Sequence, residues 1–355
     1  MGKIKFSIIM PAYGVEKQIR SSIESVIAQT YSDWELLVID DASLDLTGEI
    51  AESFSNMDSK IKVIHHDVNR GPGEARNTGL KNASGEYVLF IDAGDAIEKD
   101  TLEGIFRRLF DFESDVVIFG CKEEYVRADG RMAYAVSHSL PTEFTKDLDT
   151  IHRRVMCLNK KTLYGYVWNK AYKKSLIDEL NLTFEKMPFA EDILFNIAYF
   201  DGVTSLQIMG DEFYHYRNIL ADKTRLTTKY VPQYFEYQKR RINELYRQQQ
   251  DWDLLDEKTL ESLAAEYFRS FLSMMEREYE HGTSKKEILE KAQNETKEGL
   301  YISLKDSVPK DSKTFRFLYE PLAVGDFDKG FRRMKMVSFV RRNFATSFAK
   351  LKQKR

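Results

Sequence analysis

Two stretches decide the fold of this chain: Phe6-Ser7-Ile8-Ile9-Met10 and Glu35-Leu36-Leu37-Val38-Ile39. Both are almost entirely apolar, as are strands buried between two layers of helices. Between them, isoleucine and valine recur every three or four residues, which predicts a helix over residues 16–29. Strand, helix and strand in this order form the unit of a parallel sheet, so we predict an α/β fold with a mainly parallel central sheet. Further elements are predicted as strands at 61–65, 87–91 and 115–119 and as a helix at 73–81.

The amino-acid composition is typical of a water-soluble globular protein and excludes fibrous and disordered chains. The chain has 355 residues, of which 43% are hydrophobic and 31% charged, as expected for a globular protein of about two domains. The longest apolar runs are far shorter than the roughly 20 residues of a membrane span, and no secretory signal is apparent, so we expect a cytoplasmic protein. Two cysteines, Cys121 and Cys157, are too few for a disulfide framework, and we expect both to be buried thiols.

The charge is unevenly distributed along the chain. Residues 329–355 hold ten Lys/Arg and no Asp/Glu, so the net charge of −3 leaves −13 on residues 1–328. Such a localised positive charge argues against a general nucleic-acid binder. Apolar residues recur at helical spacing within this tail, which predicts a basic amphipathic helix. Three roles stay open for it: packing on its own domain, lying on an anionic lipid surface, or binding another protein.

A second helical region precedes the tail. No proline occurs between Pro232 and Pro309, and apolar residues from Leu260 to Met275 keep a 3.6-residue period. We therefore predict three parts, a catalytic domain at 1–224, a helical appendage at 225–328 and the basic tail at 329–355. Docking of an acceptor, association of protomers into a homo-oligomer and attachment near a membrane are all open as roles of the appendage.

Polar clusters follow four of the predicted strands at their carboxyl ends. They are Pro11-Ala12-Tyr13, Asp40-Asp41-Ala42-Ser43, Asn69-Arg70-Gly71 and Asp92-Ala93-Gly94-Asp95. Any one of them could be only a turn or a helix cap. Because ligands of open α/β sheets bind at this edge, four clusters together indicate a binding crevice. Carboxylates there suit a divalent cation, ribose hydroxyls and a base N–H.

An NAD-type enzyme is the rival explanation for Gly71-Pro72-Gly73, which follows a strand and precedes Asp92 by about twenty residues. The fingerprint fails in detail, because Arg76 occupies its third glycine position and the first strand-to-helix turn has no glycine pair. We therefore set this reading aside.

The ordered clusters resemble a known family. Residues 7–13, 35–43, 71–79 and 90–95 resemble, in this order, the blocks of the inverting family 2 glycosyltransferases of the bacterial polysaccharide type. Later pieces also match, so the resemblance covers roughly residues 4–217; they are Trp168-Asn169-Lys170, Ala190 to Asn196 and Tyr214-His215-Tyr216-Arg217. The resemblance implies a GT-A fold followed by a C-terminal helical region.

The resemblance also implies a nucleotide site and a uridine-diphosphate-sugar donor. Asp41 would accept a hydrogen bond from the uracil ring, and Asp92 would face the ribose and a metal. The other residues expected at the nucleotide are Pro11, Ala12, Tyr13, Glu16 and Ala93. Asn69 and Arg76 would contact the nucleotide or support its loop. For Glu16 and Arg76 a local ion pair on a helix surface is the alternative.

A divalent metal, Mn²⁺ or Mg²⁺, is expected by the same resemblance, with Asp92, Asp95 and His215 as candidate ligands. The chain departs from the usual acidic element, because Gly94 stands where the family often has the metal-binding carboxylate. Asp95 could replace it, or the donor's phosphates could supply most of the ligands. A packed histidine is an equal alternative for His215.

Transfer with inversion needs one base that takes the proton of the acceptor hydroxyl. Position in the family assigns this role to Asp192, with Glu191 as an orienting neighbour, both at the start of a predicted helix. Lys170 or Arg217 would neutralise the leaving diphosphate, although Lys170 could equally be a packing residue.

These inferences predict an inverting, metal-assisted transfer from a UDP-sugar to a hydroxyl of a bacterial surface glycan of capsule, exopolysaccharide, lipopolysaccharide or teichoic acid type. The acceptor partner would be a glycan or lipid-linked glycan, and no nucleic acid is expected. We expect the enzyme in the cytoplasm. If the tail lies on anionic lipid, which is one of its open roles, the enzyme would be peripheral on the inner face of the plasma membrane. A catalytically weak nucleotide-sugar-binding assembly protein and a nucleotidyltransferase on a related fold are the alternatives.

Overall fold

The computed structural model describes residues 4–127, 129, 131–219, 230–309 and 313–343. The chain divides into two compact units, an amino-terminal unit of residues 1–227 and a carboxy-terminal unit of residues 228–355. The predicted boundary between residues 224 and 225 lies outside the described residues, as does the tail beyond residue 343.

The amino-terminal unit contains ten strands and seven helices in its described residues. The strands are β1 Phe6–Ala12, β2 Trp34–Asp40, β3 Ile61–His65, β4 Tyr87–Phe90, β5 Ala96–Ile97, β6 Val116–Val126, β7 Met132–His138, β8 Glu143–Thr145, β9 Lys170–Lys173 and β10 Leu206–Ile219. The helices are α1 Ile19–Ile27, α2 Thr47–Ser55, α3 Pro72–Asn82, α4 Thr101–Asp111, α5 Leu148–Lys160, α6 Lys174–Glu179 and α7 Glu191–Phe200.

One sheet joins all ten strands in the order β3-β2-β1-β4-β9-β6-β10-β5, with β7 beside β6 and β8 beside β10. The first four strands of this order are parallel, and β6 is parallel to β10. β9 runs antiparallel to both of its neighbours, so the sheet as a whole is mixed. The parallel half brings the carboxyl ends of β1, β2 and β4 to one edge, which is where the predicted polar clusters lie.

Burial explains why these segments form strands. Nearly all residues of β1, β2 and β4 are buried, so both faces of the sheet are covered along these three strands. The five predicted strands are confirmed, β3 with the predicted bounds. The helix predicted at 16–29 is shorter at both ends in the structure, where α1 spans Ile19–Ile27.

The carboxy-terminal unit is helical in its described residues, as predicted for the region after the catalytic domain. Its helices are α8 Tyr234–Asp251, α9 Glu257–Glu280, α10 Lys285–Glu295, α11 Gly299–Leu304, α12 Lys313–Leu318, α13 Glu320–Ala323 and α14 Phe327–Asn343, with a short 3-10 turn at Lys305–Ser307. The apolar stripe of α9 is buried, with Leu263, Phe268 and Met275 fully enclosed. No helix within the described ranges is long and apolar enough to cross a membrane.

Candidate active site

The loop after β1 is held against the loop after β2. The backbone N–H of Val15 donates to Thr47 Oγ1 at 2.8 Å, and the N–H of Leu46 donates to Glu16 Oε2 at 3.2 Å. These bonds leave the ring of Tyr13 51% exposed at the sheet edge. Glu16 therefore has a structural partner in the neighbouring loop, and this partner is a backbone N–H and not the cation of the ion-pair alternative. Pro11 and Ala12 are the last two residues of β1.

Asp41 is buried and anchors the loop between β3 and α3. Its carboxylate accepts from the backbone N–H of Arg70 at 2.9 Å and of Gly71 at 2.7 Å, and His66 Nδ1 lies 2.6 Å from it. Asn69, within this loop, is exposed. Asp41 thus holds the loop that carries Asn69, and its own carboxylate is already engaged. The sequence analysis did not predict a role for His66, whose only signal was its position directly after the predicted strand at 61–65.

Arg76 joins three of the predicted acidic residues. Its Nη1 lies 2.9 Å from Glu191 Oε1 and 2.7 Å from Asp192 Oδ1, and its Nη2 lies 3.0 Å from Asp92 Oδ1. The Arg76 side chain is only 4% exposed. One guanidinium therefore links α3, the turn after β4 and the start of α7, and brings Asp92 and Asp192 to the same place.

Burial dominates the electrostatics of this cluster. It raises the pKa of Asp192 well above its ordinary value; the positive charge of Arg76 opposes the shift, and the nearby carboxylates of Glu191 and Asp92 add to it. The pKa of Arg76 is raised, because the attraction of the three carboxylates exceeds the effect of burial. Asp192 is consequently a stronger base than an exposed aspartate, and Arg76 stays charged.

The turn after β4 presents Asp92 and buries Asp95. The Asp95 carboxylate accepts from the Tyr214 hydroxyl at 2.8 Å and from the backbone N–H of Arg217 at 2.9 Å. Gly94 has a φ of +124°, a conformation that side-chain-bearing residues rarely adopt. The glycine that replaces the family's usual acidic residue is thus matched to the backbone of the turn.

The three predicted metal ligands differ in how they fit a cation. Asp92 keeps 38% of its side chain exposed, so its second oxygen suits a hard divalent ion. His215 lies between two carboxylates, with Nδ1 2.7 Å from Glu124 and Nε2 2.9 Å from Glu98. Within the described ranges, no group of three or more histidine, cysteine or acidic residues is arranged to hold a metal. The packed alternative for His215 is therefore favoured, and of the three ligands only Asp92 fits.

Lys170 and Arg217, the two cations predicted to neutralise the diphosphate, differ in their burial. Lys170 is fully buried, and its Nζ donates to Asn169 Oδ1 at 2.9 Å and to the carbonyls of Leu163, at 2.7 Å, and Tyr166. Burial lowers the pKa of this amine well below its ordinary value. These contacts favour the packing alternative for Lys170. Arg217 is part-exposed, with its Nε 3.7 Å from Glu124.

An aromatic stack that the sequence analysis did not predict lies beside the cluster. The ring of Trp168 stacks on Tyr214 with centroids 4.2 Å apart and on Tyr166 at 4.7 Å. Tyr216 stacks on Trp168 more distantly, at 5.7 Å. The Tyr166 carbonyl accepts from the Asn196 amide, which lies one turn after Asp192 on α7. Two of the blocks that carried the resemblance therefore pack against each other here.

Comparison with known proteins identifies this region. The model of the family "Glycosyl transferase family 2" matches residues 7–180. Residues 7–180 form a glycosyl transferase family 2 domain. The matched range includes Asp41, Arg76 and Asp92, and Glu191 and Asp192 follow it by about ten residues.

Several curated proteins are similar in sequence to part of this chain. The chain is 32% identical over 212 residues to the uncharacterized glycosyltransferase EpsJ of Bacillus subtilis, covering 59% of this chain and 60% of EpsJ. It is 32% identical over 185 residues to the glycosyltransferase GlyA of Streptococcus pneumoniae, covering 52% of this chain and 26% of GlyA. It is 31% identical over 217 residues to Staphylococcus aureus TarS, a poly(ribitol-phosphate) β-N-acetylglucosaminyltransferase, covering 60% of this chain and 35% of TarS. The matches thus span between 26% and 60% of these relatives' lengths.

Solved structures extend the likeness to nearly the whole chain. Residues 1–349 of S. aureus TarS, in a crystal structure with UDP-GlcNAc, align with a TM-score of 0.67 at 22% identity. The alignment covers 94% of this chain and 92% of that one. The predicted fold, GT-A followed by a C-terminal helical region, is confirmed.

Proposed function

We propose that this protein is an inverting glycosyltransferase that moves a sugar from a UDP-sugar to a hydroxyl of a bacterial surface glycan. The observation that carries the proposal is the contact of Arg76 with both Asp92 and Asp192. One guanidinium thus contacts both Asp92, which we expect at the donor, and Asp192, which we expect to act as the base. The family 2 domain supports the reaction class. The relative named for N-acetylglucosaminyl transfer, and its structure with UDP-GlcNAc, support the donor class.

The nucleotide would lie over the loops at the carboxyl ends of β1 to β4. Tyr13 offers an exposed ring there, and Asn69 lies in the exposed loop that Asp41 anchors. Because Asp41 already accepts three contacts, we assign it to shaping the uracil pocket through that loop. Pro11, Ala12, Glu16 and Ala93 border the same edge.

Asp192 would take the proton of the acceptor hydroxyl while that oxygen attacks the anomeric carbon from the side opposite the diphosphate. The bond from the anomeric carbon to the diphosphate oxygen breaks as the new glycosidic bond forms, which inverts the configuration. The raised pKa of Asp192 suits this role, since it makes the carboxylate a stronger base than that of an exposed aspartate. Glu191 would orient the acceptor or donor hydroxyls.

Asp92 is the residue that would hold a divalent cation, Mn²⁺ or Mg²⁺, whose charge would offset that of the diphosphate. Arg217 is the protein cation we assign to the leaving side. Lys170 does not support this role, because its amine is enclosed by three protein acceptors.

The acceptor would be a glycan or lipid-linked glycan, and a specific observation favours a membrane surface nearby. One side of α14 is buried through Phe327, Phe331 and Met334. The opposite side presents cations together with large apolar side chains, namely Lys329, Arg332, Lys335, Met336 and Phe339. Such a face suits the boundary of an anionic bilayer. Phe344, Phe348 and Leu351, which continue the apolar period of Phe331 and Met334 in the sequence, lie outside the described residues.

Release of UDP from a panel of UDP-sugars, with and without Mn²⁺ or Mg²⁺, tests the proposal. We expect turnover with at least one donor, which Asp192→Asn removes. Binding of UDP-sugars without any turnover would support the assembly-protein alternative. Pyrophosphate as the product would support a nucleotidyltransferase.

A further inference from the structure

We infer that Arg76 is a positioning residue that fixes the Asp192 carboxylate relative to Asp92, and that it does not bind the nucleotide. This inference rests on the proposed function and departs from the resemblance, which implies that Arg76 contacts the nucleotide or supports its loop.

The directions of the guanidinium nitrogens carry the argument. Nη1 is shared by Asp192 at 2.7 Å and Glu191 at 2.9 Å, whereas Nη2 points to Asp92 at 3.0 Å. Because the group is planar and its N–H bonds are fixed, these contacts set the two aspartates at a defined separation. The side chain is 4% exposed, so water does not compete for the terminal nitrogens.

The helix that carries Arg76 is itself clamped. Asn77, the next residue, exchanges two hydrogen bonds with the backbone of Phe184, its Nδ2 donating at 2.8 Å and its Oδ1 accepting at 2.7 Å. The Arg76 guanidinium also lies over the Phe184 ring, 5.4 Å from its centroid. Rotation of the Arg76 side chain toward a nucleotide would break its contact with the Phe184 ring together with the three carboxylate contacts.

One donor of Arg76 remains without a partner. Its Nε–H is buried and has no hydrogen-bond acceptor among the described residues. A nucleotide contact through Nε is therefore the competing explanation, and the experiment has to separate it from positioning.

Arg76→Lys is the informative variant, because lysine keeps the charge but supplies a single point of attachment that does not span both aspartates. We expect kcat for UDP-sugar hydrolysis by the full chain to fall 10- to 100-fold while the Kd for UDP, measured by calorimetry, stays within threefold. Arg107→Lys, an exposed arginine paired with Glu103 on α4, is the matched control and should change neither quantity. A tenfold weaker UDP affinity with unchanged kcat would overturn the inference.

A crystal structure of the wild-type chain with UDP provides a test that does not depend on a folded variant. Arg76 should still contact Asp92 and Asp192, and a guanidinium that contacts UDP instead would contradict positioning.

If the wild type neither binds UDP nor turns over a donor, the proposed function fails by itself. The inference is then tested by urea unfolding of Arg76→Lys, Asp192→Asn and the double variant. Non-additive shifts of the unfolding midpoint support the contact, and additive shifts refute it.

Discussion

The hydroxyl of Tyr214 donates a hydrogen bond of 2.8 Å to Oδ2 of Asp95. The same hydroxyl accepts from the backbone N–H of Asp92 at 3.2 Å, so one phenol on β10 ties together both acidic ends of the turn after β4. Two aspartates three residues apart are thereby given different roles. Asp95 is a buried structural acceptor, whereas Asp92 stays part-exposed, as our proposal that it faces the donor requires.

This division predicts how metal dependence responds to substitution. Asp92→Asn should raise the Mn²⁺ concentration for half-maximal turnover at least tenfold, because it removes a charged oxygen ligand. Asp95→Asn should leave that concentration within about threefold but lower the melting temperature, since it weakens a buried charge-assisted hydrogen bond. Titration of turnover with Mn²⁺ distinguishes the two. The reverse pattern would show that Asp95 is the ligand.

Loss of the base should affect chemistry and not binding. Asp192→Asn should reduce kcat by about 10²- to 10⁴-fold, the usual contribution of a general base. The Kd for UDP should remain within threefold, as the substitution is isosteric and Asp192 is not assigned to the nucleotide. Asp149→Asn, an exposed α5 aspartate paired with Arg153, serves as control. Full activity of Asp192→Asn would remove the residue from the mechanism.

Asp41 should influence nucleotide binding through its loop. Asp41→Asn loses acceptor capacity for the N–H groups of Arg70 and Gly71, so the loop before α3 loosens. We expect UDP affinity to fall about tenfold with a reduced melting temperature. Asp67→Asn changes an exposed aspartate of the same loop and should alter neither. Calorimetry with UDP and thermal unfolding measure the two effects, and unchanged affinity in Asp41→Asn would contradict the assignment.

Acid stability should depend on Glu35. Burial would raise the pKa of this carboxyl, but hydrogen bonds from Ser7, Ser84 and Lys62 lower it to about 2. Because the pKa of Glu35 is lower in the folded state, the ionised carboxylate stabilises the fold at pH values above its ordinary pKa of 4.5. This contribution is lost as the pH falls toward 2. Glu35→Gln should therefore lower the melting temperature by roughly 3–8 °C at pH 7 and by progressively less toward pH 2.

The control for this experiment is Glu24→Gln, which changes an exposed glutamate of α1. Its melting temperature should follow that of the wild type at every pH. A Glu35→Gln effect that is equal at pH 7 and pH 2 would show that packing, and not the ionised carboxylate, is responsible.

The exposed face of α14 should bind anionic membranes. Co-sedimentation with vesicles of phosphatidylglycerol and phosphatidylcholine should be strong at low salt and weaken as salt screens the cations. Phe339→Ser and Lys335→Glu should each reduce the bound fraction at least threefold. Met57→Ser, which removes an exposed methionine after α2, should not. Equal binding to neutral vesicles would contradict the electrostatic part of the proposal, and no binding to either would refute it.

The sequence was sufficient for the parallel half of the sheet, because apolar runs and helical periods are local signals. It did not predict β7 at Met132–His138, whose residues are mostly exposed and so lack the apolar signature of a buried strand. β6 continues to Val126, seven residues beyond the predicted end, since only its first part is fully buried.

Site residues could be nominated from sequence, but their partners could not. Arg76 and Asp192 are 116 residues apart, and no local pattern indicates that they meet. The same limit applies to His215, whose neighbours Glu98 and Glu124 come from distant segments. Long-range packing, and not residue type, decides which carboxylate is open to a ligand and which is already bound by other groups of the protein.

The two cysteines have opposite surroundings, which corrects the expectation that both are buried. Cys121 is enclosed in β6, where burial raises the pKa of its thiol to about 12, whereas Cys157 on α5 is exposed. Since thiolates are the species that react with maleimides, the wild-type chain should accept a fluorophore at a single position. Binding of a fluorescent nucleotide-sugar analogue to the amino-terminal unit can therefore be followed by energy transfer to this label, with no cysteine engineered in or out.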